Sequence, residues 1–145
     1  MPNKPQSAQS HAAWLPMFHI VASPITMIAF FNFAVIAFKD PTRTNLIWAV
    51  YSLGIAVGVF ASRIMVLKVQ DRLIRLEMRL RLKELLPAAL FARFSELRVG
   101  QLVALRFASD AEMASLVERT LKGEFAGQKE IKLAIKDWQS DYLRA

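Results

Sequence analysis

Two long apolar stretches dominate the first half of the chain, and after them the pattern turns to helical alternation. The first, Met17 to Phe38, reads MFHIVASPITMIAFFNFAVIAF and carries no formal charge. The second, Leu46 to Ser62, reads LIWAVYSLGIAVGVFAS, and its apolar character resumes past Arg63 with IMVL. A bilayer core about 30 Å thick needs roughly 20 apolar residues at about 1.5 Å rise each. Both stretches reach that length once Arg63 snorkels toward water. The pattern therefore predicts two transmembrane helices joined by KDPTRTN, with Pro41 as the breaker. A pair of buried core helices is the soluble alternative, but so short a chain leaves too little protein to cover them. A cleavable signal peptide fits poorly: MPNKPQSAQSHAAWLP holds a single Lys and two early prolines, and no small-residue cleavage site closes the apolar run.

Residues 63–86, RIMVLKVQDRLIRLEMRLRLKELL, hold seven Lys/Arg and sort by angle at about 100° per residue. Lys68, Arg72, Arg75, Arg79 and Lys83 share an arc of about 80°. Beside them Val66, Val69, Leu73, Leu76 and Leu80 form an apolar stripe at spacing three, four, three, four. Leu67, Ile74, Met78 and Leu85 make a second ridge. The stripe has heptad spacing, yet Lys83 takes its next core position, so fewer than three heptads survive as a coiled-coil signal. Asp71 with Arg75 and Glu77 with Arg81 are expected as i,i+4 ion pairs, each adding a few tenths of a kcal/mol. No Gly or Pro interrupts the chain between Gly58 and Pro87. The second membrane helix is thus expected to run on as one rod, whose two apolar ridges need the C-terminal helices, a second copy or another subunit to cover them.

Further along, Pro87 suits the first turn of a new helix or a kink. Leu90, Phe91, Phe94 and Leu97 keep helical spacing, and Gly100 precedes Leu102, Val103 and Phe107. Ser109-Asp110-Ala111-Glu112 reads as a capping box whose helix should end near Gly123. Ile131, Ala134, Ile135 and Trp138 recur at i, i+3, i+4 and i+7, predicting a last amphipathic helix. Asp137 and Asp141 read as exposed helix-end carboxylates.

Inside the apolar stretches, Gly54, Gly58 and Ser62 recur every four residues. Such a ridge lets a second backbone approach, either the first helix or a partner, although glycine is common in membrane helices anyway. Pro24 should bend the first helix and free a carbonyl. Asn32 and His19 are polar groups within or at the edge of that helix, a functional hypothesis by default. His11 and His19 lie eight residues apart with no carboxylate beside them, poor spacing for a metal.

Charge sets the orientation. The loop offers Lys39 and Arg43 against Asp40, whereas Arg63, Lys68, Arg72 and Arg75 follow the second helix, which places both termini in the cytoplasm, with Trp14 and Trp48 marking the inner and outer interfaces. The chain's net charge of +7 belongs mostly to this juxtamembrane region. Residues 88–145 carry nine Lys/Arg and eight Asp/Glu, a balance unlike a nucleic-acid-binding module, and the basic stripe has no interleaved aromatics. Each Lys/Arg near an anionic leaflet contributes about 1 kcal/mol, within a Debye length of about 8 Å. That assigns Arg63, Lys68 and Arg72 to lipid and leaves Arg75, Arg79 and Lys83 to an acidic partner or to solvent. With no cysteine, there is no disulfide or thiolate metal site. No nucleophile with an evident base and no phosphate loop appears, so no catalytic, cofactor or metal residues are expected.

At LKVQDRLIRLEMRLRLKELLP and QLVALRFASDAEM the chain resembles a bacterial family of small two-pass membrane proteins of unassigned function. The likeness extends from AAWLPMFH to DWQSDYLR. The family often has a hydroxyl residue where Arg98 stands, so this chain departs from it at a helix cap. The resemblance implies a bacterial inner-membrane protein and adds no activity, substrate or cofactor.

Together these features predict an all-α protein. It has a polar tail (1–13), a transmembrane hairpin whose second helix extends into the cytoplasm (14–86), and a small bundle of short cytoplasmic helices (87–145). The expected role is a non-enzymatic accessory or scaffolding subunit of a larger inner-membrane complex. The alternative is a self-associating adaptor that binds anionic lipid through the basic helix. Gly54, Gly58 and Ser62 would pack against a helix. Arg75, Arg79, Lys83, Leu73, Leu76 and Leu80 would face a partner, either another membrane subunit or a second copy, with no role for nucleic acid.

Overall fold

A computed structural model describes residues 15–141. The expected polar tail with His11, the interfacial Trp14 and the last four residues lie outside the described residues. A π-helical turn, Met17–Ala22, leads into helix α1, Ser23–Lys39. Helix α2 is Arg43–Leu85, 43 residues without a break. Four short helices follow: α3 Ala88–Phe91, α4 Val99–Leu105, α5 Asp110–Leu121 and α6 Gln128–Ala134, with a 3₁₀ turn, Phe94–Glu96, between α3 and α4. Among the described residues there is no strand, only an isolated antiparallel bridge between Ala108 and Trp138. The contacts divide the chain into two compact units that part within α2, between Lys68 and Val69.

In the first unit, both segments Met17–Lys39 and Arg43–Leu85 contain helix long and apolar enough to cross a membrane. Pro24 falls in the first turn of α1, where a missing N–H costs least. Upstream of it, where a bend is expected, lies the π-helical turn, in which the Ser23 N–H bonds back five residues to the Phe18 carbonyl. Thr26 Oγ1 donates to the Ala22 carbonyl at 2.8 Å, so the hydroxyl helps satisfy this turn. At the other end, Thr42 Oγ1 accepts the Asn45 N–H at 3.2 Å and starts α2 as its N-cap. Phe18 meets Phe60 edge to face at 5.9 Å, and Phe33 stacks on Trp48 at 5.7 Å. Ala37 of α1 and Ser52 and Ala56 of α2 are the buried small residues here.

The second unit has its own core. Ile74, Met78 and Leu82, four apart along α2, and Leu86 just past its end are buried together with Leu97, Leu102, Leu105, Met113, Val117 and Ile131. Fully burying a side chain such as Leu82 contributes about 1.5–3 kcal/mol relative to leaving it exposed. The second ridge read from the sequence is thus the packed one at Ile74 and Met78. The heptad-like stripe is left outside: Leu73, Leu76 and Leu80 stay 53 %, 55 % and 58 % exposed.

Three local expectations are corrected. Helix α5 begins after Ser109 as predicted, and a Schellman motif closes it at Gly123 (φ 77°), where Glu124 N–H bonds the Arg119 carbonyl and Gly123 N–H that of Thr120. Its capping box does not form. Glu112 instead accepts the N–H groups of Lys136 and Asp137 at 3.1 and 3.2 Å. The last helix stops at Ala134 rather than running through Trp138. Trp138 stacks on Phe107 at 4.5 Å while Gln139 N–H bonds the Phe107 carbonyl, and that burial outweighs two more helical residues. Asp141 is accordingly no helix-end carboxylate but pairs with Arg106 at 3.2 Å. At α4, the Arg98 N–H finds its acceptor in Gln101 Oε1, 2.8 Å away, so no hydroxyl is needed there.

Candidate functional site: an arginine-lined cleft

Arg72, Arg75 and Arg79 stand three and four residues apart on α2, which puts them on one face beside the buried Ile74–Met78 ridge. Pro87 then ends the helix, and the chain turns so that α3 and the 3₁₀ turn bring Phe91, Phe94 and Ser95 opposite. The result is an open cleft of about 520 Å³ bounded by the three arginines, Leu76, Phe91 and Phe94. Its apolar wall meets one of the charged groups: the Arg75 guanidinium lies 5.9 Å from the Phe94 ring centre, and the Phe91 and Phe94 rings lie 5.9 Å apart. A cation over an aromatic face at an exposed site contributes about 0.5–1 kcal/mol.

The carboxylate nearest the aromatic wall is committed elsewhere. Glu96, on the same 3₁₀ turn, takes a two-pronged hydrogen bond from Arg93 at 2.9 and 2.7 Å. That bond holds the Glu96 carboxyl below its ordinary pKa, with the guanidinium charge acting in the same direction. The expected Asp71–Arg75 and Glu77–Arg81 pairs are not made. Arg75 turns to Phe94, and Arg81 reaches Asp110 at 2.6 Å because that contact also satisfies the Arg106 and Ala108 carbonyls. Among the described residues, Arg72, Arg75 and Arg79 have no carboxylate partner.

The site residues read from the sequence are regrouped. Arg72 joins Arg75 and Arg79 at the cleft, and Leu76 is part of its lining. Lys83, Leu73 and Leu80 are exposed but lie outside it. Arg63 and Lys68 belong to the other unit, where the Arg63 guanidinium lies 5.7 Å from the Phe18 ring centre and Lys68 is exposed. Gly54 and Gly58 are exposed with nothing within 4 Å of an added Cβ, and the Ser62 hydroxyl bonds the Val59 carbonyl of its own helix. The small residues of α2 that are buried instead are Ser52 and Ala56, and Met27 and Phe30 of the first helix gather at Ala56. Phe91, Phe94 and Ser95 were not legible as site residues. Their helical spacing reads as core, and only the proline directly after the basic helix hints that the chain folds back over it.

His19 Nδ1 lies 2.9 Å from the Leu15 carbonyl, a local contact within the π-helical turn. Among the described residues, no group of three or more His, Asp or Glu side chains comes together as a metal site.

The fold and cleft define a class: an all-helical protein with two helices long and apolar enough to cross a membrane, and a helical unit bearing an unneutralised arginine cleft. The chain belongs to a family of unknown function, DUF6526, which it matches over residues 1–145. Neither the curated proteins nor the solved structures contain a match to it.

Proposed function

We propose that the protein is a non-enzymatic accessory subunit of a bacterial inner-membrane complex, anchored by a transmembrane hairpin and docking an acidic partner in the arginine cleft. The observation that carries the reading is the set of three guanidinium groups left without a carboxylate around an apolar floor. A guanidinium fork matches carboxylate or phosphate geometry, and the Phe91–Phe94 floor adds an apolar contact that plain solvation would not use. The exposed Leu73–Leu76–Leu80 stripe beside it widens the surface a partner covers. The hairpin is supported by the Phe18–Phe60 and Phe33–Trp48 contacts, and cytoplasmic termini by the excess of Lys/Arg after the second span.

Purification of the full chain in mild detergent tests this. An acidic subunit should accompany the wild type and fall about tenfold with Arg72→Gln, Arg75→Gln and Arg79→Gln combined, while Lys129→Gln with Lys136→Gln keeps it. Undiminished association in the triple variant would overturn the docking role. A second reading, an adaptor that holds anionic lipid, draws on Arg63 and Lys68. It expects anionic lipid retained through purification to fall in Arg63→Gln with Lys68→Gln and not in the cleft variant.

A further inference from the structure

Asn32 of α1 is a polar side chain that neither the cleft nor the helix pairing uses. It lies seven residues before Lys39, about 10 Å inward along a helix, well inside a hydrocarbon core if the segment spans the membrane. Its side chain is exposed and makes no hydrogen bond to another described residue. On a helix at about 100° per residue, Ile25, Ile28, Asn32 and Val35 of α1 share one stripe about 80° wide, at spacing three, four, three. Ile25, Ile28 and Val35 are 60 %, 69 % and 50 % exposed. The face toward α2, with Met27, Phe30 and Ala37, is diametrically opposite. The stripe is therefore an unpartnered heptad seam with a single amide at a core position, the arrangement in which one Asn fixes register and oligomeric state.

We propose that a second copy of this chain covers the stripe, forming a parallel two-fold dimer of α1 helices in which Asn32 hydrogen-bonds Asn32 across the axis. The inference rests on reading the two helices as membrane spans. Within one membrane every copy inserts in the same orientation, so a two-fold axis along the bilayer normal brings residue 32 opposite residue 32 at equal depth. The amide is self-complementary there, because each carries both an N–H₂ donor and a carbonyl acceptor. A different subunit would need its own polar group at that depth. An Asn that stays unpaired in hydrocarbon is disfavoured, and that drives the association.

The chain has no cysteine, so single cysteines introduced into the full-length protein report the interface directly. In native membranes, Ile25→Cys, Ile28→Cys and Val35→Cys should cross-link as dimers on oxidation, whereas Phe30→Cys and Val57→Cys should not. Reconstituted into liposomes at falling protein-to-lipid ratio, Asn32→Leu should weaken dimerisation roughly three- to thirty-fold, and Asn32→Gln should retain most of it. Membrane-embedded protein that stays monomeric, cross-links only through other positions, or dimerises equally well as Asn32→Leu would overturn the dimer and leave the spans intact. Release of the chain from membranes by alkaline carbonate would overturn both.

Discussion

Arg81 makes four hydrogen bonds: two to Asp110 Oδ1, at 2.8 and 2.6 Å, one to the Arg106 carbonyl at 3.1 Å and one to the Ala108 carbonyl at 2.7 Å. It thereby fastens α2 to the turn between α4 and α5, where Ala108 is fully buried. Hydrogen bonds to charged groups contribute about 1.5–3 kcal/mol and a stranded buried carbonyl costs about 1–3 kcal/mol. Arg81→Ala should therefore lower the stability of the full chain in detergent by about 2–4 kcal/mol, and Arg81→Lys should recover only part, since an ammonium lacks the planar fork. Glu77→Ala should cost less than about 0.5 kcal/mol, as an exposed side chain outside any ion pair. Denaturant unfolding of the three variants checks this; equal losses for Glu77→Ala and Arg81→Ala would restore the local i,i+4 pair. The sequence points to the wrong partner because helical spacing reports only neighbours on one helix, and Asp110 comes into reach only through the fold.

Along an element, the same limit separates what was legible from what was not. The span of α2 could be read to its end because nothing in it breaks a helix and Pro87 follows. The end of α5 could be read because Gly123 supplies the positive φ a Schellman motif requires. The end of α6 could not, because periodicity through Trp138 is satisfied equally by a helix and by an extended segment that delivers the same ring to Phe107. Nor could the face of α2 that meets α1: GIAVG matches a known packing pattern, yet Ala56, inside that match, is buried and its glycines are not. The two faces predict opposite responses to added bulk. Ala56→Leu should destabilise the two-helix unit by about 1–3 kcal/mol through overpacking, whereas Gly58→Leu should leave it unchanged or slightly firmer because leucine is the better helix former. Reversible unfolding of the reconstituted protein reads both, and a loss with Gly58→Leu in monomeric protein would show that the ridge packs within the chain after all.

At the scale of the whole molecule, the proposed orientation is the most direct thing to test. Activity of reporter enzymes fused after residue 145 and inserted in the 39–45 loop should give opposite locations, cytoplasmic for the first and periplasmic for the second. A periplasmic C-terminal reporter would move the arginine cleft to the outer side and remove the cytoplasmic partner with it. Replacing Arg63 and Lys68 by Gln should loosen this preference without moving the spans, since orientation follows the Lys/Arg count near the membrane ends.

The glycine ridge of α2 and the Asn32 stripe of α1 each lie on the far side of their own helix from the other. A two-fold dimer closed through the stripe would therefore carry its glycine ridges on both outer flanks, related by the same axis. Any neighbour that fits one flank must fit the other, so an assembly built on this subunit would hold partners in even, matched numbers, two to two at the least. If the stripe of one copy instead met the ridge of the next, the contact would be heterologous and would propagate into rows. Native mass measurement on the intact assembly distinguishes a closed even stoichiometry from an open series.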